Sequence, residues 1–203
     1  MQPTSVDSQS ARDELFRRIG RNVVNFQYLE ATLRMMIPTL SNKGTLKELQ
    51  ANQDAVVRKH KKATLRPLAN AYHERMYGKS VTDEEPSDDA LSEPTFTFGI
   101  GLDVPPEKAE ERKRALVKVI RERNRLIHED LLNVDLKSRE ECEELSARLD
   151  EQYIRIRRYL DHLNSLRVNF QQMTADFARL LESEEFRALL MGDCDDAQTR
   201  GPT

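Results

Sequence analysis

Three polar side chains near the middle of the chain combine residue types that can hold an anion and move a proton. Arg123, Asn124 and His128 lie within one short run of sequence. A guanidinium can grip a phosphate or carboxylate through two parallel hydrogen bonds. An imidazole can gain or lose a proton near neutral pH. The cluster therefore indicates a site where a charged group is bound and a proton is transferred.

The helix that must position these residues has an apolar stripe, which the cluster interrupts. At helical spacing, Arg123 points into the middle of the stripe, and Asn124 and His128 lie along one edge. An unpaired charge buried there would be costly, so Arg123 needs a partner or a wet cavity. Departures from local pattern tend to mark functional sites. The stripe that we expect to be buried consists of Leu116, Ile120, Ile127 and Leu131.

A structural role for the same residues is an alternative. Arg123 could pair with a buried carboxylate, and Glu30 falls near the inward face of the first helix. Asn124 and His128 could be core polar groups whose hydrogen bonds are satisfied near a helix end. In that case the cluster stabilises the bundle and has no chemistry of its own.

The cluster also resembles the signature of a known superfamily. Arg123–His128, with the sequence RNRLIH, matches the Arg-(Asn/Asp/His)-x-x-x-His motif of the HEPN superfamily. The surrounding sequence ERNRLIHEDLL is similar to bacterial members, and so is Asn25–Arg34, NFQYLEATLR. The resemblance implies an all-helical domain, and many such domains are metal-independent ribonucleases.

The resemblance implies particular roles for the cluster. In the family, two subunits bring their motifs together in one cleft. His128 would be the general acid and base, Arg123 would clamp the phosphate, and Asn124 would assist. A ribose 2′-OH would attack the adjacent phosphate and leave a 2′,3′-cyclic phosphate, without a metal or cofactor. Glu129 and Asp130 follow directly and would repel RNA phosphates, or raise the basicity of the histidine.

The partners implied are RNA, a second copy of the chain and an antitoxin or other protein, as in bacterial toxin or phage-defence systems. The leading hypothesis is thus a homodimeric, cytoplasmic endoribonuclease. The alternative is a non-catalytic HEPN-like module that binds a protein, a nucleotide or RNA. The long apolar stripe of the last helix, which could pack against another subunit, favours this alternative.

Composition narrows the classes of protein. The 203 residues are 38% hydrophobic and 33% charged, contain no tryptophan and carry a net charge of −3. Such a balance is typical of solvent-exposed helices and gives no global attraction to nucleic acid. Cys142 and Cys194 are too few for a disulfide framework or a zinc cage. No apolar run has the length of a membrane span, and the polar N-terminus lacks the order of a signal peptide.

Helical periodicity predicts an all-α, extended bundle of four to five helices with a very long C-terminal helix. Ser10 caps a first helix over 11–37, which Pro38 ends, and Asn42, Lys43 and Gly44 form a turn. A second helix starts near Thr45, is kinked or split by Pro67, and ends at Gly78. Alternation over 95–102 predicts a short strand or hairpin.

The remaining elements complete one predicted helical domain over 10–192. A helix begins at Pro106 and runs to about residue 132. Ser138 and Glu141 form a capping box for the last helix, whose apolar stripe continues to Leu180. A flexible acidic linker is predicted over 79–94. A disordered lead-in over 1–9 and a disordered tail over 193–203 are predicted at the ends.

Overall fold

The chain is built almost entirely from helices. The computed structural model describes residues 5–78 and 96–184. Its small two-stranded sheet and long last helix confirm the predicted all-α class. The elements are α1 (Ser5–Leu40), β1 (Ser41–Gly44), α2 (Leu46–His60), α3 (Leu65–Tyr77), β2 (Phe96–Gly99), α4 (Pro106–Arg125), a π-helical turn (Leu126–Asp130), α5 (Leu131–Asn133) and α6 (Arg139–Glu182).

The chain divides into two compact units, Met1–Leu163 and Asn164–Thr203. The division falls inside α6, so the single domain predicted over 10–192 stays a prediction. The linker predicted over 79–94 and the tail predicted over 193–203 lie outside the described residues.

The first helix is longer at both ends than its sequence predicts. It begins at Ser5, inside the predicted lead-in, and it passes Pro38 to end at Leu40. Proline removes the backbone donor that would pair with the Arg34 carbonyl four residues earlier, and only two more residues of the helix follow it. Arg75 from α3 then donates to the carbonyl of Ser41 at 3.2 Å, which satisfies backbone at the end of the helix.

The helical segment after α1 splits as predicted, but at a different place. The helix begins after Thr45, whose backbone N–H donates to the Glu48 carboxylate at 3.0 Å. The break covers residues 61–64, between α2 and α3. Pro67 is not at the break. It is the third residue of α3, where a backbone N–H has no intrahelical partner to lose. Gly78 ends the helix, as predicted.

The predicted turn at residues 42–44 is instead the first strand of the sheet. β1 pairs antiparallel with β2, with Ser41 opposite Gly99 and Gly44 opposite Phe96. Gly44 has a φ of 152°, a conformation that side chains disfavour. A Cβ at that position would lie 2.9 Å from the Asn52 amide. The strand predicted near 95–102 is confirmed, and its partner is distant in sequence.

The core of the first unit lies between α1 and the helices around it. Fully buried side chains of α1 contact α2 and α3, and α3 contacts α4. The first part of α6 is joined to α1 by polar groups. The Asn22 amide donates to the Leu149 carbonyl and to Gln152 Oε1, both at 2.8 Å. Arg21 pairs with Asp150 at 2.8 Å.

The last helix begins with a partial version of the predicted capping box. The Ser138 hydroxyl accepts from the Glu141 backbone N–H at 3.3 Å. The Glu141 carboxylate accepts instead from the backbone N–H of Asp135 at 2.8 Å, so it secures the loop before the helix.

The second unit contains the end of α6. Its described part exposes Met173, Phe177 and Leu180 by 54%, 57% and 49%. These residues lie three and four apart and therefore share one face of the helix. Along the described part of the chain, no helix combines the length and the apolarity that crossing a membrane requires.

Candidate functional site

A π-helical turn lies inside the predicted motif. Leu126–Asp130 forms this turn, and the Leu131 backbone N–H donates to the Leu126 carbonyl five residues earlier. Arg123 and Asn124 belong to the last turn of α4, whereas His128 belongs to the π turn. A π turn is wider than an α turn, so residues five apart within it come closer to one face. Leu126 and Leu131 are joined in this way, whereas Arg123 lies in the α-helical turn before it.

The three predicted site residues lie at the surface. Arg123 is half-buried, and its guanidinium donates to Asn124 Oδ1 at 3.2 Å. Asn124 and His128 are exposed. Within residues 5–78 and 96–184, the His128 side chain makes no hydrogen bond or ion pair. The cluster is therefore open to a ligand, and the expectation that it points into the core is wrong.

Glu30, proposed as the structural partner of Arg123, pairs with a different residue. Glu30 lies 3.9 Å from Arg34, one turn along α1. No ion pair joins Glu30 to Arg123 in the described part of the chain. A half-buried guanidinium keeps contact with water, so it does not require a buried carboxylate.

The predicted stripe is buried only before the π turn. Leu116 and Ile120 are buried, as predicted. Leu126, the first residue of the π turn, lies seven residues after buried Val119 and is fully buried. Ile127 is half-buried and Leu131 is 38% exposed, so their predicted burial is wrong.

The two acidic residues after His128 have different environments. The Asp130 carboxylate lies 2.6 Å from the Arg148 guanidinium and 3.4 Å from that of Arg125. Its side chain is only 12% exposed. Its charge is therefore balanced inside the protein. Glu129 is exposed and lines a cleft of about 280 Å³, so it alone keeps the predicted potential to repel phosphate.

Ion pairs fix the motif helix against α6. Glu122 pairs with Arg155 at 2.9 Å, and its side chain is only 18% exposed. Together with the Asp130–Arg148 pair, this contact holds α4 and the π turn at both ends of the motif. Partly buried pairs of this kind orient a segment more than they stabilise the whole fold.

Residues that sequence reasoning missed form a cluster between α3, α4 and α6. The Arg112 guanidinium donates to the Tyr77 hydroxyl at 3.2 Å. His162 has a buried Nε2 without a hydrogen-bond partner among the described residues. Burial and nearby Arg112 lower the pKa of His162. Burial raises the pKa of Tyr72 and of Tyr159. Scattered aromatic and histidine residues gave no spacing signal for this cluster.

Other groups with reactive side chains have structural surroundings. Burial raises the pKa of the Cys142 thiol, which favours the unreactive protonated form. His60, in the basic run at residues 59–62, is 7% exposed, and burial lowers its pKa. Among residues 5–78 and 96–184, no three His, Cys, Asp or Glu side chains gather closely enough to hold a metal ion.

The available chemistry is therefore that of an exposed imidazole beside a guanidinium–amide pair. No family model, curated protein or solved structure matches the chain. The resemblance to HEPN proteins thus depends on the motif and on the helical architecture around it.

Proposed function

We propose that the chain is a metal-independent endoribonuclease that acts as a homodimer, with His128 and Arg123 as catalytic residues. One observation carries the proposal. His128, whose imidazole is exposed, lies inside a π turn that begins two residues after the Arg123–Asn124 hydrogen-bonded pair. π turns occur frequently at functional sites, where they change the direction in which side chains project.

The proposed reaction is attack by a ribose 2′-OH on the adjacent phosphate. His128 takes the proton of the 2′-OH as the new oxygen–phosphorus bond forms. The bond to the 5′ oxygen breaks, and an imidazolium returns a proton to that oxygen. Arg123 binds the non-bridging oxygens, and Asn124 holds the guanidinium in place. The products carry a 2′,3′-cyclic phosphate and a 5′-OH.

A second copy of the chain supplies the second imidazole in this scheme. One histidine cannot act as base and acid in the same step, so two copies of the motif would share one cleft. The cellular setting that we propose is a bacterial toxin or phage-defence system, with an antitoxin as a further partner. These contexts are inferred from the resemblance.

The test is RNA cleavage by the purified protein in excess EDTA. Wild type, His128→Ala and Arg123→Ala are compared at matched helicity by circular dichroism. We expect cleavage by wild type alone, with cyclic-phosphate ends. Glu140→Gln, a change at an exposed position of α6 that has no ion pair within the described residues, is the control and should cleave like wild type. Equal cleavage by wild type and His128→Ala would exclude His128 as the proton-transfer group.

A second candidate function is protein association through α1. From residue 19 to the end of α1, every exposed position is occupied by an uncharged residue, although 33% of the chain is charged. Depletion of charge is typical of interface cores. The hydrophobic members include Val24, Tyr28 and Met35, exposed by 46%, 62% and 52%. These positions, which we call the α1 face, are Gly20, Val24, Gln27, Tyr28, Ala31, Met35 and Thr39.

The α1 face is complementary to a second copy of itself. A twofold axis between residues 27 and 28 sets two antiparallel helices side by side. Gly20 then lies opposite Met35, and Val24 lies opposite Ala31. Met35 and Val24 thus each meet a smaller residue, as helix packing favours, and Tyr28 lies opposite Gln27. Light scattering tests this candidate, because a strict monomer at all concentrations would exclude it.

A further inference from the structure

A groove between α4 and α6 concentrates positive charge. Its volume is about 400 Å³, within the range of small-ligand sites. Its basic lining residues are Arg112, Lys118, Arg155 and Arg158, and none of its lining residues is acidic. The whole chain has a net charge of −3, so this local excess is a property of the groove.

Two of the four cations are available to a ligand. Arg112 is committed to the Tyr77 hydroxyl, and Arg155 is committed to the Glu122 carboxylate. Lys118 and Arg158 are exposed and have no ion pair or hydrogen bond within the described residues. Arg112 and Arg155 therefore shape the groove, and Lys118 and Arg158 can bind an anion.

The floor of the groove is apolar and aromatic. Ala115 and Val119 contribute aliphatic surface from α4, and Tyr159 contributes an aromatic ring from α6. The His162 ring lies edge-on to that of Tyr159, with 6.3 Å between centroids. Its Nε2 is buried and lacks a hydrogen-bond partner among the described residues. A buried polar atom of this kind requires a partner from water or from a ligand.

We propose that this groove binds one nucleotide unit of a single-stranded RNA. Lys118 and Arg158 hold a phosphate, and the base lies on the floor beside Tyr159. The His162 ring nitrogen hydrogen-bonds the edge of the base. Single-stranded RNA is recognised in this way, through phosphate charge and aromatic contact with unstacked bases. The proposal rests on the proposed ribonuclease function and names where its substrate is held outside the catalytic cluster.

The groove and the catalytic cluster share one helix. Lys118 precedes Arg123 by five residues, which is about 7.5 Å along the axis of α4. The Glu122–Arg155 pair lies between them and ties the same stretch of α4 to α6. A strand held at Lys118 can therefore reach the motif without a change in the fold.

The experiment measures binding and cleavage separately. Binding is followed by fluorescence anisotropy of a labelled RNA about 12 nucleotides long, in the His128→Ala background so that the probe stays intact. The test variant is Lys118→Glu with Arg158→Glu. The control, Lys113→Glu with Arg157→Glu, makes the same charge change at exposed positions of the same helices. Both control residues already have acidic partners, Glu110 and Asp161.

We expect the test variant to bind at least about tenfold more weakly than the control at moderate salt. The slope of log affinity against log salt should fall by about 0.7, because the contact with one phosphate is lost. Competition with AMP and with inorganic phosphate distinguishes the contribution of the base to binding from that of the phosphate. AMP should displace the probe at lower concentration than phosphate does.

The experiment distinguishes a failure of the groove proposal from a failure of the nuclease proposal. Loss of binding in the test variant, without cleavage by wild type, would support the groove and reject the nuclease. Cleavage that needs His128, with equal RNA affinity of test and control variants, would overturn the groove and leave the nuclease standing. Equal competition by AMP and phosphate would overturn the base contact. Absence of RNA binding by all variants would overturn the groove outright.

Discussion

The α1 face differs in charge and in helical regularity from the surface formed by α4, the π turn and α6. Both begin from helices whose inner sides build the core of the first unit. The α1 face is uncharged along an unbroken helix and alternates small with large side chains. The other surface is charged, interrupted by a π turn, and holds the motif and the basic groove. Steric complementarity suits a protein partner, whereas cations beside an aromatic floor suit a nucleic acid.

The largest effect should come from the motif and leave the α1 face unchanged. His128→Ala removes the group that would transfer the proton, so cleavage should fall by about 10² to 10⁴-fold. Molar mass by light scattering should equal that of wild type. A variant that loses activity and also changes its molar mass would show that the two surfaces are not independent.

The next effect should come from the α1 face. Ala31→Arg places a charge where Val24 of a second copy would pack, so the dissociation constant of the dimer should rise by at least about 100-fold. Ala51→Arg makes the same change at an exposed position of α2 and should have no effect on association. Analytical ultracentrifugation over a range of concentrations measures both variants. Equal dissociation constants would remove the α1 face as the interface.

Measuring RNA cleavage by Ala31→Arg tests whether activity depends on the α1 face. If the cleft needs two motifs held together through the α1 face, cleavage should fall in parallel with dimerisation. Full activity of a monomeric variant would mean that one copy carries a complete site.

The sequence predicted the parts of the fold that depend on local pattern. Thr45, Gly78 and Pro106 mark helix ends through backbone chemistry that acts over a few residues. β1 was missed because Ser41–Gly44 owes its strand geometry to a partner that lies far along the chain. Pairing at such distance leaves no periodic signal in four residues.

The residues of the candidate site stay a prediction from the sequence, and their surroundings were not predicted. Arg123, Asn124 and His128 could be singled out because they break an apolar period. The π turn could not be predicted, since a single wide turn has no composition of its own. The predicted burial of Ile127, inside the π turn, and of Leu131, directly after it, was wrong. The groove was missed because its residues come from two helices whose packing the sequence does not specify.

A moderate effect should come from the inner side of α1, on which both surfaces depend. Asn22→Ala removes the amide that donates to the Leu149 carbonyl and to Gln152 Oε1, and it leaves the buried Gln152 Oε1 without this donor. The free energy of unfolding should fall by about 1–3 kcal/mol. Asn133→Ala, which removes an exposed bond to the Glu129 carbonyl, is the control and should change it far less. Urea denaturation followed by circular dichroism gives both values, and similar losses would mean that the α1–α6 contact is not specially important.

The smallest effect should be a dependence on pH that only one of the two surfaces has. The α1 face holds no group that titrates between pH 5 and 8, whereas the groove holds His162. Because burial lowers the pKa of His162 in the folded protein, the unfolded chain binds its proton first on acidification. Stability from this group is therefore complete above its ordinary pKa of about 6.5 and is lost as the pH falls toward the lowered value. His162→Gln should show a shallower fall in melting temperature between pH 7 and pH 5 than wild type, while buried His60 contributes the same slope to both. Dimer dissociation should not change over this range. Parallel melting curves for the two proteins would show that His162 gains its proton as readily in the folded chain as in the unfolded one.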